Sequence, residues 1–331
     1  RNGVLLLLNL VFYGWGEPSS VFLMIVSIWV DYVLGRMITR QKEKGKSGKA
    51  AVICSCIWNL GLLVFFKYLG LAVLPIGISF YTFQKLSYVI DVYRMECDSQ
   101  KSFVDFAVYV TLFPQLIAGP IVKYKDLEQQ LSGRKYSFHD MREGIRIFTT
   151  GLCKKVLIAN NTGELFSLYA AKSESLLTMP GAWLGLLAFC FQIYFDFSGY
   201  SDMAAGLGRM LGFTFPENFE YPYTAKSLTD FWRRWHMTLS GWFREYLYIP
   251  LGGNRKGNGK TIRNLLIVWM ATGIWHGAGW NFLLWGFYYG VLLVVEKFFL
   301  LKYLKRLPEF WQHVYALLFI AMGWAIFAVP D

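Results

Sequence analysis

The sequence predicts an all-α, multi-pass integral membrane protein, and three observations carry that reading. Of 331 residues, 55% are hydrophobic and 18% aromatic against only 17% charged, whereas about a quarter of residues in a soluble domain are charged. The apolar residues gather in runs close to the length of about 20 that a spanning helix needs. The 33 Lys and Arg outnumber the 22 Asp and Glu, giving a net charge of +11, and this excess lies between the runs, the pattern of membrane topology rather than of a nucleic-acid surface.

Taken in order, the runs fall at 4–13, 21–35, 50–74, 75–93, 103–121, 144–160, 181–197, 264–280, 281–300 and 313–329. Pro75, Pro114, Gly119 and Pro120 interrupt the middle ones. Broken helices persist in a bilayer only where the freed backbone is buried in protein or lines a cavity, so the bundle is expected to enclose a space. Residues 36–49 hold Arg36, Arg40, Lys42, Lys44, Lys46 and Lys49 against Glu43, and 255–263 holds Arg255, Lys256, Lys260 and Arg263 without an acid. Both loops are expected in the cytoplasm. In 123–146, Asp126, Glu128, Asp140 and Glu143 alternate with cations, as on an amphipathic surface segment. With no repeat or linker, a single domain over 1–331 is expected. The chain opens at Arg1 and stops at Val329-Pro330-Asp331 straight after an apolar run, and is expected to be a fragment of a longer protein.

The segment 227–248 differs from the spans. Phe231, Trp232, Trp235, Leu239, Trp242, Phe243 and Tyr246 recur at spacings of three and four, with Arg233, Arg234, Arg244 and Glu245 between them. The pattern predicts one amphipathic helix at the membrane interface, opened by a capping box of Ser227 and Asp230.

Few side chains are suited to chemistry. The five cysteines, Cys54, Cys56, Cys97, Cys153 and Cys190, are scattered and form neither a disulfide framework nor a zinc spacing, so no metal site is expected. Of four histidines, His139 lies in a polar stretch and His313 at the start of a span, both ordinary places. His276 lies in Gly273-Ile274-Trp275-His276-Gly277, deep in an apolar segment, where an ionisable group usually faces a cavity or pathway. On one helix it would share a face with Trp269, Gly273 and Trp280. The glycines beside it leave room for a substrate or for another backbone. His236, one turn from Trp232 and Ser240, is either functional or a bystander in an interfacial tryptophan belt, with Arg233 and Arg234 reaching lipid phosphates. Asp196 and Asp202, in the polar stretch 192–202, either orient a histidine or bind a cation, or pair with arginines of the 231–244 helix; the structural role is favoured.

Three soluble-enzyme motifs fail. A Walker A loop ahead of Gly259-Lys260-Thr261 has Asn254 where Gly is needed, a nucleophile elbow at Gly199-Tyr200-Ser201 has Met203, and Gly206-Leu207-Gly208 is followed by Gly212 one position too late.

An ordered set of blocks nevertheless resembles one family, the membrane-bound O-acyltransferases, in the branch of the membrane subunit of bacterial alginate O-acetylation. The blocks are Tyr13-Gly14-Trp15-Gly16-Glu17-Pro18, Leu74 through Gln84, Phe113 through Ile121, Tyr194 through Asp202, Phe231 through Ser240, Tyr248 through Asn254, and Gly273 through Gly277. The resemblance implies a ring of membrane helices around a central funnel, with His276 as the catalytic histidine, here assigned as general base, and His236 as second active-site histidine, and with the family's N-terminal start and C-terminal helices missing here. It implies acetyl transfer from acetyl-CoA, a cosubstrate rather than a bound cofactor, to a hydroxyl outside the bacterial inner membrane. His236 would polarise the thioester carbonyl or steady the oxyanion, while Arg233 and Arg234 attract the anionic donor. The acceptor is expected to be a polysaccharide, reached directly or through an extracytoplasmic, SGNH-like acetyltransferase partner. D-alanyl transfer to teichoic acid from a carrier protein, and a transporter without chemistry, are the alternatives.

Overall fold

The computed structural model describes residues 1–70, 73–172 and 177–328. Residues 71 and 72 of the expected 50–74 run, and Val329-Pro330-Asp331, lie outside the described residues. Among the described residues the regular structure is helical throughout, with no strand. Contacts divide the chain into two compact units, Arg1–Arg146 with Ala204–Pro216, and Ile147–Met203 with Glu217–Asp331.

The first unit contains α1 (Asn2–Gly16), α2 (Ser20–Glu43), α3 (Lys49–Lys67), α4 (Ile78–Arg94), α5 (Phe103–Thr111), the single turn α6 (Phe113–Leu116), α7 (Tyr124–Gly133) and the start of α8 (Phe138–Cys153). At 24 residues, α2 rises about 36 Å, enough to cross the roughly 30 Å of hydrocarbon. The expected 75–93 run becomes α4, which is buried on almost every side, from Tyr81 through Val89, and is therefore a core helix of the unit rather than a lipid-facing span. Its Tyr88 ring packs at a tilt against Phe106 of α5 at 4.4 Å and edge-on against Tyr124 of α7 at 4.9 Å. Lys85 of α4 and Asp31 of α2 are both fully buried, 3.5 Å apart. Ser55 and Asn59 of α3 donate to Asp31 at 2.5 and 2.8 Å, and Lys85 donates to Ser27. Each charge is thus neutralised and hydrogen-bonded, the condition under which a buried ion survives. The 103–121 run breaks at Leu112, which leaves helical geometry with ψ 106° just ahead of Pro114 in the next turn.

The second unit contains the end of α8, a π turn Lys154–Ala159, α9 (Asn160–Ala170), most of α10 (Met179–Met210), a 3₁₀ turn Pro222–Thr224, α11 (Leu228–Arg234), α12 (Met237–Phe243), a second π turn Arg244–Tyr248, α13 (Asn258–His276), α14 (Trp280–Val295), a third π turn Glu296–Leu300, α15 (Leu301–Leu304) and α16 (Glu309–Ala328). Five helices among the described residues are long and apolar enough to cross a membrane: Ser20–Glu43, Lys49–Lys67, Met179–Met210, Trp280–Leu304 and Glu309–Ala328. Ten runs were expected. The shortfall comes from α1 and α4, which are 15 and 17 residues long, from the break at Leu112, and from 144–160 and α13, which carry Lys154 and Lys155, and Lys260, Arg263 and Asn264.

In this unit α13 and α14 form a close antiparallel pair. A Cβ added at Gly273 would collide with the Phe282 carbonyl oxygen, and one at Gly286 would lie 2.5 Å from the Trp269 carbonyl oxygen. The helices therefore touch backbone to backbone, as small residues permit in membranes. Of the two uses expected for the glycines near His276, Gly273 serves the second, approach of another backbone, while Gly277 lies against the Phe282 ring. The core beneath is aromatic: Trp285, Tyr289 and Trp324 pack with Phe231 and Trp235 of the 227–248 segment.

Candidate active site

The site forms where the expected helix 227–248 breaks. Its start is as predicted, with Ser227 Oγ accepting from the Asp230 nitrogen at 3.0 Å. A second cap comes from far along the chain: the fully buried Glu296 carboxylate accepts from Leu228 N at 2.7 Å and Thr229 N at 2.8 Å, and from Tyr315 Oη at 3.3 Å. These answer the free N–H groups that every helix start leaves. The segment is not one helix, however. After α11, Trp235 is extended and His236 takes the left-handed conformation at φ 43°, a cost of about 1–2 kcal/mol for a residue with a Cβ. The 3,4 spacing of aromatics was a sound guide to the buried face, yet it could not reveal a turn that keeps Phe231, Trp235 and Leu239 all inside.

What holds the break is Asn218, in the loop after α10. Its backbone carbonyl accepts from Met237 N at 2.9 Å. Its side-chain Oδ1 accepts from Thr238 N at 3.2 Å and from Thr238 Oγ1 at 2.8 Å, and lies 2.9 Å from His236 Nδ1. Its Nδ2 donates to Ser201 Oγ at 3.0 Å. Sequence reasoning missed Asn218, Ser201 and Glu296, because each acts across a long stretch of chain. His236 itself is 3% exposed. Burial pushes its pKa down to about 3, with His276 nearby acting in the same direction, so the ring is neutral at physiological pH.

His276 is the last residue of α13; Gly277 beyond it is extended. Trp280 begins the next helix and is exposed, so it does not share the face with Trp269, Gly273 and His276 that an unbroken helix would give. The half-buried His276 ring is boxed by Trp285 at 5.0 Å and Phe327 at 5.3 Å.

His236 and His276 line one cavity of about 460 Å³, within the size range of small-molecule sites. Four tryptophans and four leucines are among its wall residues, and Arg233, Arg244, Lys297, Ser240 and Thr272 are among its polar groups. Arg233 thus sits at the cavity, whereas Arg234 is held by Asp230 at 2.9 Å and is not part of the lining. The expected arginine partners of Asp196 and Asp202 are not those found. Asp202 pairs with Lys154 at 2.6 Å and Asp196 with Lys155, because the π turn presents two successive lysines to α10. His139 is exposed, and His313 Nδ1 lies 3.2 Å from the Ala225 carbonyl.

The profile of the family described as MBOAT, membrane-bound O-acyltransferase family, matches residues 96–331. "Probable alginate O-acetylase AlgI" of Azotobacter vinelandii is 39% identical over 100% of this chain and 70% of its own length. The protein of the same name from Pseudomonas fluorescens is 41% identical over 100% of this chain and 68% of its own. Peptidoglycan O-acetyltransferase of Helicobacter pylori is 35% identical over 99% and 71%. With a family match over most of its length, relatives of this identity and its membrane-length helices, the chain belongs to the membrane-bound O-acyltransferases as an all-α, multi-pass membrane enzyme that is an O-acyltransferase.

Proposed function

We propose that the enzyme transfers an acetyl group from acetyl-CoA to a hydroxyl of a polysaccharide outside the bacterial cytoplasmic membrane, directly or through an extracytoplasmic acetyltransferase. The observation that carries the reading is the meeting of His236 and His276 on one largely apolar cavity whose cations are Arg233, Arg244 and Lys297. The relatives named for alginate and peptidoglycan O-acetylation support a polysaccharide acceptor.

A thioester is already activated, so the enzyme's tasks are to remove a proton and to align the reactants. His276 takes the proton of the attacking hydroxyl as the new C–O bond forms. The tetrahedral intermediate collapses by breaking the C–S bond, and the departing thiolate recovers the proton from His276. Imidazole is suited to this exchange near neutral pH. Arg233, with Arg244 and Lys297, attracts the phosphates of the donor. Arg234, tied to Asp230, serves α11 instead.

The test supplies radiolabelled acetyl-CoA to the purified protein in liposomes with an alginate oligosaccharide. His276→Ala lowers transfer by about a hundred- to ten-thousand-fold while the protein still inserts. Near-normal transfer by the well-folded variant refutes the assignment. Cysteines at Ser47 and Asn258, in the basic loops, stay unlabelled by an impermeant thiol reagent outside intact cells; labelling of either overturns the cytoplasmic placement of its loop.

A further inference from the structure

We propose that Asn218 is a positioning residue that fixes His236 as the Nδ1–H tautomer, so that this histidine meets the reaction as a hydrogen-bond acceptor at Nε2 and not as a donor. Its consequence for catalysis rests on the acyl-transfer reading above; its chemistry rests on contacts alone. A backbone N–H can only donate, so the Asn218 atom 3.2 Å from Thr238 N is the amide oxygen. The amide nitrogen is occupied on the other side by Ser201 Oγ at 3.0 Å. An oxygen acceptor 2.9 Å from His236 Nδ1 places the ring proton on Nδ1, and in a neutral imidazole the other nitrogen then carries a lone pair.

The lock is rigid. Asn218, Ser201 and His236 are 3%, 4% and 3% exposed, and the Asn218 backbone is anchored as well, through Met237 N at 2.9 Å. His236 Nε2 is buried and has no hydrogen-bond partner among the described residues; Phe197 packs edge-on against the ring at 4.6 Å. A ring so placed, and kept neutral by burial, has no proton to offer a thioester carbonyl or an oxyanion. It offers a lone pair to an N–H or O–H brought to it during the reaction, and two such groups exist, the incoming hydroxyl and the His276 imidazolium formed after proton transfer. Catalytic hydrogen bonds of this kind commonly tighten only when substrate is present.

The test is nitrogen NMR of the full chain carrying ¹⁵N-histidine in lipid nanodiscs, with His236→Gln identifying the resonance. The expected spectrum at neutral pH has a protonated Nδ1 and a bare Nε2, both in the wild type and in Asn218→Asp, which keeps an oxygen acceptor. Asn218→Leu gives mixed tautomers and lowers kcat about tenfold or more with little change in KM, and Asn218→Asp restores most of it. A shift of Nε2 on adding alginate oligosaccharide identifies the hydroxyl as the donor, and a shift on acidification without it identifies His276. A protonated Nε2 in the wild type, an Nε2 signal indifferent to both treatments, or unchanged kcat in Asn218→Leu overturns the proposal. If Asn218→Leu does not fold, the wild-type spectrum alone decides. Because the tautomer is read without turnover, full transfer by His276→Ala would refute the assignment of His276 as base, and absence of any acetyl transfer by the wild type would refute the acyl-transfer reading, while either result leaves this measurement standing.

Discussion

Gly286 supplies no proton or charge to the reaction, yet adding one methyl group there should be felt at the active site. A Cβ at position 286 would stand 2.5 Å from the Trp269 carbonyl oxygen and 3.2 Å from Gly273 Cα, where ordinary contact begins at 3.4 Å. A carbonyl oxygen in mid-helix cannot swing aside, so Gly286→Ala forces α13 and α14 apart by about 1 Å at that level, an overpacking cost of roughly 1–3 kcal/mol. His276 ends α13, and Trp285, next to Gly286, forms one wall of its box at 5.0 Å. The imidazole and its wall therefore separate. A misplacement of about 1 Å costs on the order of a hundredfold in rate. The assay is acetyl transfer in liposomes beside thermal unfolding in detergent, and the expected result is kcat down about a hundredfold with a melting temperature lowered by a few degrees. Wild-type activity in the variant would refute the reasoning, since it would mean that the helix pair can open without disturbing the histidine.

Three further outcomes are expected. Lys85→Met strands the buried Asp31 carboxylate and lowers stability by about 3–5 kcal/mol, whereas the double variant with Asp31→Asn recovers most of it; equal melting temperatures for the single and double variants would contradict this. Glu296→Gln turns an amide N–H₂ toward a backbone N–H of α11 and costs about 1–3 kcal/mol, read as a lower melting temperature, with His236 chemical shifts moving as α11 loosens. Because His236 has a folded pKa near 3 against about 6.5 unfolded, the unfolded chain binds a proton that the folded chain refuses. Stability is therefore greatest above pH 6.5 and falls on acidification towards pH 3, by up to about 1.4 kcal/mol per unit from this residue; His236→Gln should flatten that slope, and identical slopes would reject a buried neutral ring.

Much of this was legible from residue order alone, and the limits have physical causes. Long apolar runs reveal spanning helices because hydrophobicity accumulates along the chain, so α2, α3, α14 and α16 were found near their places. The same arithmetic cannot tell lipid from protein as the apolar neighbour, and α4 reads as a span although its Tyr88 packs against Phe106 and Tyr124. His276 and His236 stood out because an ionisable ring among apolar residues needs a reason. Their setting did not, since the left-handed turn at His236 is imposed by Asn218, eighteen residues earlier. Likewise Asp196 and Asp202 were rightly read as ion-pair members, but a straight helical wheel could not show that Lys154 and Lys155 would both face α10.

The wide turns at Lys154–Ala159, Arg244–Tyr248 and Glu296–Leu300 act as phase shifters. Each takes up an extra residue, and where a helix continues beyond it, as α9 does after Lys154–Ala159 and α15 after Glu296–Leu300, the residues that follow are rotated by about 100°. Each also begins with a charged side chain: Lys154 reaches Asp202, Arg244 reaches the cavity wall, and Glu296 reaches the start of α11. Deleting one residue within such a turn would restore a regular helix and so rotate its charge, and any helical face downstream, away from the partner it now meets. Length changes of a single residue in these three places should therefore be far more damaging than equal changes in the loops between helices, although no bond to a reacting atom is touched.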